Sequence, residues 1–181
     1  MSEDKINKRI VLAGGPSTGK TSVLNELIKL GFKCYEEAAR DILSKYEGKG
    51  SSFKSDPIKI SNEILKKRDK DFNDAKNILC KKNIVFFDRG VHEITAYLRS
   101  INCSKDYWEK LLKKYDYDIV FFFPNWKEIY IKDENRIEEY EEAIKISPYI
   151  DTVYEESSIL KIKVPNMSIE DRVKFILNNI L

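Results

Sequence analysis

Histidine is nearly absent from this chain and cysteine is sparse. The only histidine is His92, and the three cysteines, Cys34, Cys80 and Cys103, lie far apart with no CxxC pair. A structural zinc site needs about four such ligands at clustered spacings, so this composition argues against one. Cys34 and Cys80 read as ordinary reduced core residues. Long apolar runs are also missing. None approaches the roughly 20 residues needed to span a bilayer, so no membrane association is expected. Met1 to Lys8 are polar and charged, without the apolar centre of a signal peptide, and the expected compartment is the cytoplasm. Nor does charge of one sign dominate: 32 Lys plus Arg face 30 Asp plus Glu, a formal net of +2. That balance argues against a basic coat over the whole surface and makes nucleic acid an unfavoured partner. Internal repeats, low-complexity tracts and linkers are lacking too. The 181 residues, 42% hydrophobic and 34% charged, therefore read as one globular domain over 1–181.

What is present is an alternation of strand and helix signals. Arg9-Ile10-Val11-Leu12-Ala13 is an apolar run ending in a Gly-rich turn, the first strand. From Lys20 to Leu30, Val23, Leu24, Leu27 and Ile28 share one helical face, and Gly31 can cap the end. Phe32-Lys33-Cys34-Tyr35 is a brief second strand, followed by a helix carrying Ala38, Ile42 and Leu43. Glu47 to Ser55 has no periodicity. Asp56-Pro57 opens a long helix as N-cap and first position. Its apolar stripe is Ile60, Ile64, Phe72, Ala75 and Leu79, and Lys66 to Asp71 read mostly as its solvated side. Ile84-Val85-Phe86-Phe87-Asp88 and Ile119-Val120-Phe121-Phe122-Phe123 are apolar on both faces, as central parallel strands are. Helices are expected at His92 to Arg99, Ser104 to Tyr115 and Asp133 to about Glu156. Ile159 to Val164 is a last strand, and Ser168 with Asp171 opens a final helix. Five strands separated by helices make an α/β parallel sheet, with right-handed crossovers placing helices on both faces in a three-layer sandwich.

The strongest chemical signal is Gly14-Gly15-Pro16-Ser17-Thr18-Gly19-Lys20-Thr21, which meets G-x-x-x-x-G-K-[ST] between a strand and an amphipathic helix. This is the phosphate loop of P-loop nucleoside-triphosphate-binding proteins. Successive backbone N–H groups of Gly15, Pro16, Ser17, Thr18, Gly19, Lys20, Thr21 and Ser22 would wrap a polyphosphate, apart from Pro16, which has none. Lys20 would charge-pair the β- and γ-phosphates, and the Thr21 hydroxyl would ligate Mg²⁺. The helix that begins there adds its positive dipole end.

Acids and arginines follow the strand ends, the edge where open α/β sheets bind ligands. Asp88 closes an apolar strand as a Walker-B acid does and is a candidate Mg²⁺ ligand, the rival role being an N-cap for the His92 helix. Arg89, with Gly90 after it, suits bidentate contact with a phosphate or carboxylate. Glu36 and Glu37 stand just past strand two. One of them could take the proton of an acceptor hydroxyl; Glu36 is favoured, with Glu37 close behind. Arg40 could bind an anionic acceptor or pair with an acid. Arg136, in Asp-Glu-Asn-Arg, is the natural arginine to close over the γ-phosphate, the rival being a surface pair with Tyr140 or nearby acids. Trp126 could stack on a base or simply pack. No Asn-Lys-x-Asp run is present to read guanine, which favours ATP over GTP.

Taken in order, Gly-Gly-Pro-Ser-Thr-Gly-Lys-Thr, Glu-Glu-Ala-Ala-Arg, Phe-Phe-Asp-Arg-Gly, Pro-Asn-Trp-Lys-Glu-Ile-Tyr and Asp-Glu-Asn-Arg resemble the NadR-like AAA domain. That family comprises small P-loop proteins related to the ribosylnicotinamide-kinase part of NadR and, more distantly, to thymidylate and deoxynucleoside kinases. The resemblance runs from Arg9 to the final helix. It implies a sheet order of 2-3-1-4-5, an acceptor over Glu36, Asp88 and Arg89, a lid around Arg136 at about 126–157, and adenine contacts from Val164-Pro165-Asn166. Where the family pattern has Pro-Asp after Asp-Arg-Gly, this chain has His92-Glu93, keeping the acid in kind. The function expected is an ATP- and Mg²⁺-dependent kinase acting on a small-molecule hydroxyl acceptor. A nucleotide-binding ATPase or GTPase switch that regulates a partner is the alternative, and phosphorylation of a nucleic-acid 5′-hydroxyl is a weaker third.

Overall fold

The computed structural model describes residues 7–46, 56–80, 82–129 and 140–180. Five strands alternate with seven helices among them. The strands are β1 (Lys8–Gly14), β2 (Lys33–Tyr35), β3 (Ile84–Asp88), β4 (Ile119–Phe123) and β5 (Leu160–Lys163). The helices are α1 (Lys20–Lys29), α2 (Ala38–Ser44), α3 (Pro57–Asn77), α4 (His92–Ser100), α5 (Asp106–Lys114), α6 (Tyr140–Glu155) and α7 (Ile169–Asn178). All strand pairs are parallel, in the order β2-β3-β1-β4-β5, as the resemblance implied.

Alternation along the three central strands divides the core in two. Ile10, Leu12, Phe86, Phe121 and Phe123 face α1 and α7. Val11, Ala13, Val85, Phe87, Val120 and Phe122 face the layer built from α3 to α6. Strands buried on both sides are continuous apolar runs for this reason. The edge strands differ: β2 is half-buried throughout, and β5 is half-buried at Lys161 and Ile162 and exposed at Leu160 and Lys163. Each pairs on one side only.

Local chemistry sets the helix ends. The Asp56 side chain accepts from the Lys59 N–H at 3.3 Å, and Pro57 takes the first helical position. Gly31, at φ 84°, follows α1, where the Phe32 N–H returns to the Leu27 carbonyl. The Ser168 hydroxyl accepts from the Asp171 N–H at 3.2 Å to open α7.

Three expectations are corrected. Leu79 lies beyond the end of α3 and is fully exposed, so it is not on the apolar stripe. Arg68 and Asp71 are buried rather than solvated. Arg68 continues the i, i+4 row of Ile60 and Ile64 towards Phe72, and its Nη1 donates to the Gly90 carbonyl at 2.7 Å. The cysteines are half-buried at the margins of the two clusters rather than inside them. The final strand is also shorter than expected, and residues 133–139 of the expected helix before it lie outside the described residues.

No helix among the described residues is long and apolar enough to cross a membrane.

Candidate active site

The carboxyl ends of β1, β2 and β3 open onto one cavity of about 460 Å³. One wall is the loop Pro16 to Ser22. Opposite stand Glu37, Ala39, Arg40 and Leu43 from the β2–α2 region, Ser61, Ile64 and Arg68 from α3, and Arg89, Glu93, Ile94 and Tyr97 from the β3–α4 region. Parallel crossovers bring these segments together because every strand ends on the same edge of the sheet.

The loop is held from within. Lys20 Nζ donates to the Gly15 carbonyl at 2.6 Å and to Thr18 Oγ1 at 3.1 Å, while the Thr18 hydroxyl donates to the Gly15 carbonyl at 3.0 Å. Burial pulls the Lys20 ammonium down to about 8, with the Arg89 charge adding to the shift and Asp88, Glu93 and Glu37 opposing it. Gly14 is required here. Its φ is 138°, and a Cβ would stand 2.4 Å from the Phe123 carbonyl oxygen.

Beneath the loop, Thr21 Oγ1 donates to Asp88 Oδ2 at 3.2 Å. Asp88 Oδ1 is buried without a hydrogen-bond partner. Burial, and next the charge of Glu37, push the Asp88 carboxyl above its usual range. The N-cap of α4 is Val91, with no side-chain cap bond, so Asp88 does not cap that helix. A buried carboxylate oxygen without a partner, beside a hydroxyl, suits a hard cation. No group of three or more His, Cys, Asp or Glu among the described residues is arranged to hold a metal. The donor set is therefore one carboxylate and one hydroxyl, which fits Mg²⁺ completed by phosphate oxygens and water.

Arg89 sits at φ 73°, a conformation that a long side chain rarely adopts. Several bonds hold it there. Its N–H donates to the Leu12 carbonyl at 3.0 Å, and Nη1 donates to the Gly14 carbonyl at 2.9 Å and to Glu93 Oε2 at 2.6 Å. Nε pairs with Glu37 Oε1 at 2.5 Å. Strain fixed by so many partners is typical of a functional position. Burial alone would raise the Glu37 carboxyl. The guanidinium of Arg89, followed by Lys20, Arg68 and Arg40, outweighs it and holds Glu37 below the usual carboxylate range. Glu93, fully buried, is raised by desolvation despite the arginines around it.

Of the residues singled out from the sequence, Lys20, Thr21, Asp88 and Arg89 converge, and Arg40 lines the rim. Glu36 is exposed and outside the cavity lining, whereas its neighbour Glu37 faces in. Arg136 lies outside the described residues. Trp126 is half-buried, with the Arg172 guanidinium 4.6 Å from its ring centroid. Of the proposed adenine loop, Val164 is buried, while Pro165 and Asn166 are exposed. Sequence reasoning missed Ser61, Arg68 and Tyr97 as cavity residues. The i, i+4 row through Ile60, Ile64 and Phe72 was the available signal for Arg68.

A search of curated proteins finds no match. Among solved structures, the chain superposes on a deoxyadenosine kinase from M. mycoides with bound dATP at a TM-score of 0.71 and 18% identity, covering 94% of this chain and 98% of that one. A thymidylate kinase from Candida albicans gives a TM-score of 0.70 at 16% identity, with 97% and 91% covered. The YorR protein from Bacillus subtilis, in complex with phosphorylated GDP, gives 0.60 at 12% identity, with 96% and 95% covered. At these identities the likeness is one of fold. The sequence model of the AAA domain family matches residues 9–172, and the chain belongs to that family.

Proposed function

We propose that the protein is a Mg²⁺-dependent phosphotransferase that moves the γ-phosphoryl group of ATP to a hydroxyl of an uncharged, nucleoside-sized acceptor. The observation that carries this reading is the Glu37–Arg89 pair, which holds an ionised carboxylate in the same cavity as Lys20 and Thr21. In this reading Glu37, rather than Glu36, takes the proton as the acceptor oxygen attacks phosphorus, and ADP leaves from the cradle. Lys20 and the backbone N–H groups hold the β- and γ-phosphates, and Arg136 would add charge over them. Thr21 and Asp88 would hold Mg²⁺, which supplies charge neutralisation on the phosphates. Arg89 fixes Glu37.

The likeness to nucleoside and nucleotide kinases in fold supports the reaction class. Charge favours a nucleoside over a monophosphate as acceptor. Arg89 is already shared between Glu37, Glu93 and the Gly14 carbonyl, and Arg68 Nη1 is bonded to the Gly90 carbonyl. A phosphate brought beside Glu37 and Glu93 would meet two carboxylates that already share Arg89. Ala39, Leu43, Ile64, Ile94 and Tyr97 supply apolar surface for a ring.

The test is transfer of label from γ-labelled ATP to a panel of nucleosides, including nicotinamide riboside, and to their monophosphates. Label should enter at least one nucleoside in preference to its monophosphate. Release of ADP with no labelled acceptor would instead favour an ATPase or switch.

A further inference from the structure

We propose that Arg172 is a positioning residue of the phosphate cradle, holding the Thr18–Gly19 peptide so that the Gly19 N–H faces the anion site. Arg172 lies in the first turns of α7, is only 2% exposed, and donates from Nη1 to the Thr18 carbonyl at 2.8 Å. Its guanidinium sits 4.6 Å from the Trp126 ring centroid and 5.5 Å from that of Phe123, at the end of β4. Nε and Nη2 are buried without acceptors, and no carboxylate pairs with it among the described residues. Desolvation accordingly lowers its pKa.

A buried cation with no carboxylate partner among the described residues is costly, and as packing alone an apolar side chain would serve better. Among the described residues, the one hydrogen bond of its side chain goes to the phosphate loop. In a trans peptide the C=O and N–H point in opposite directions. Anchoring the Thr18 carbonyl towards α7 therefore turns the Gly19 N–H the other way, and Gly19 lines the cavity. Local sterics do not enforce that orientation. Gly19 has φ 88° and Ser17 has φ 58°, and glycine passes readily between wells. Released from Arg172, the peptide is free to flip, which replaces an N–H donor in the cradle with a carbonyl dipole facing the phosphates. The guanidinium charge behind the loop adds to the attraction. Trp126 is assigned a supporting part: its ring face holds the guanidinium in plane.

This inference rests on the reading of the loop as a polyphosphate site, and the experiment separates the two. Calorimetry would measure binding of Mg-ATP and of inorganic tripolyphosphate, which has no base to stack, to the wild-type protein and to Arg172→Lys, Arg172→Met and Trp126→Leu. Folding of each variant would be checked by circular dichroism and thermal melting. Arg172→Met should weaken both ligands by about a hundredfold and Arg172→Lys by about tenfold, the factor being the same for ATP and tripolyphosphate. Trp126→Leu should weaken both by about threefold. Folded Arg172 variants that bind tripolyphosphate as the wild type does would overturn the proposal. So would a loss confined to ATP, which would assign Arg172 to the base. If the Arg172 variants do not fold, unchanged tripolyphosphate affinity in Trp126→Leu overturns it, and a matched loss for both ligands supports it. A wild-type protein that binds neither ligand overturns the cradle reading itself, and this proposal with it.

Discussion

Arg89 Nε and Glu37 Oε1 stand 2.5 Å apart, tying the segment after β3 to the segment after β2 within one cavity. The pair explains why Arg89 is kept in a left-handed conformation at φ 73°. From there its guanidinium reaches the Gly14 carbonyl, Glu93 and Glu37 together. A strained backbone thus positions the carboxylate assigned as base.

Replacing that carboxylate gives the first prediction. Glu37→Gln keeps size and hydrogen bonding but removes the basic oxygen, and kcat for phosphoryl transfer should fall by about a hundredfold or more. Glu36→Gln, at an exposed position, should change kcat by less than about threefold. Steady-state kinetics on the two variants decides the matter, and the reverse pattern would assign the base to Glu36.

Mg²⁺ dependence should vary with pH. Burial raises the Asp88 carboxyl, so protons compete with the cation as pH falls through that elevated range. The Mg²⁺ concentration for half-maximal activity should therefore rise on acidification from neutrality. In Asp88→Asn the same titration should be flat, although residual activity will be low. A wild-type Mg²⁺ requirement independent of pH would count against Asp88 as a ligand.

His92 gives the fold an acid-sensitive element. Its ring is buried, stacks on Tyr154 at 5.2 Å between centroids, and has Nε2 3.1 Å from the Leu112 carbonyl, which fixes the proton on Nε2. Desolvation lowers its pKa from 6.5 to about 4. Because the folded value is depressed, the unfolded chain binds the proton first. The stabilising contribution is present above about 6.5 and is lost as pH falls towards about 4, a loss of roughly 3 kcal/mol for this group. Thermal melting across that range should show a steeper decline for wild type than for His92→Gln. Parallel curves would remove His92 from the account.

Gly14→Ala tests the close approach of β1 to β4. The added Cβ would lie 2.4 Å from the Phe123 carbonyl oxygen, at a φ of 138°. Denaturant unfolding should register a loss of about 3 kcal/mol or more. A change below about 0.5 kcal/mol would show that the strands part easily there.

How far the chain discloses itself in advance depends on how local each signal is. β1, β3 and β4 are legible because strands covered on both faces must be apolar throughout, and the cradle is legible because its geometry is built from eight consecutive residues. β2 and β5, paired on one edge, carry Lys33, Lys161 and Lys163 and announce themselves weakly. The choice between Glu36 and Glu37 was hidden because adjacent side chains on extended chain point to opposite sides, and only the partner, Arg89, decides which faces in. Arg68 was concealed in a charged run despite its place in an i, i+4 row. Arg172 could not be read at all: the carbonyl it holds lies 154 residues away.

The central claim is that main-chain N–H groups and the Lys20 ammonium grip a polyphosphate beside β1. Isothermal calorimetry of Mg-ATP on the folded wild-type protein and on Lys20→Ala tests it most directly. A saturable heat in the wild type, weakened by about a hundredfold or lost in the variant, is the predicted result. No heat of association with the wild type, or equal affinity in both proteins, would contradict it.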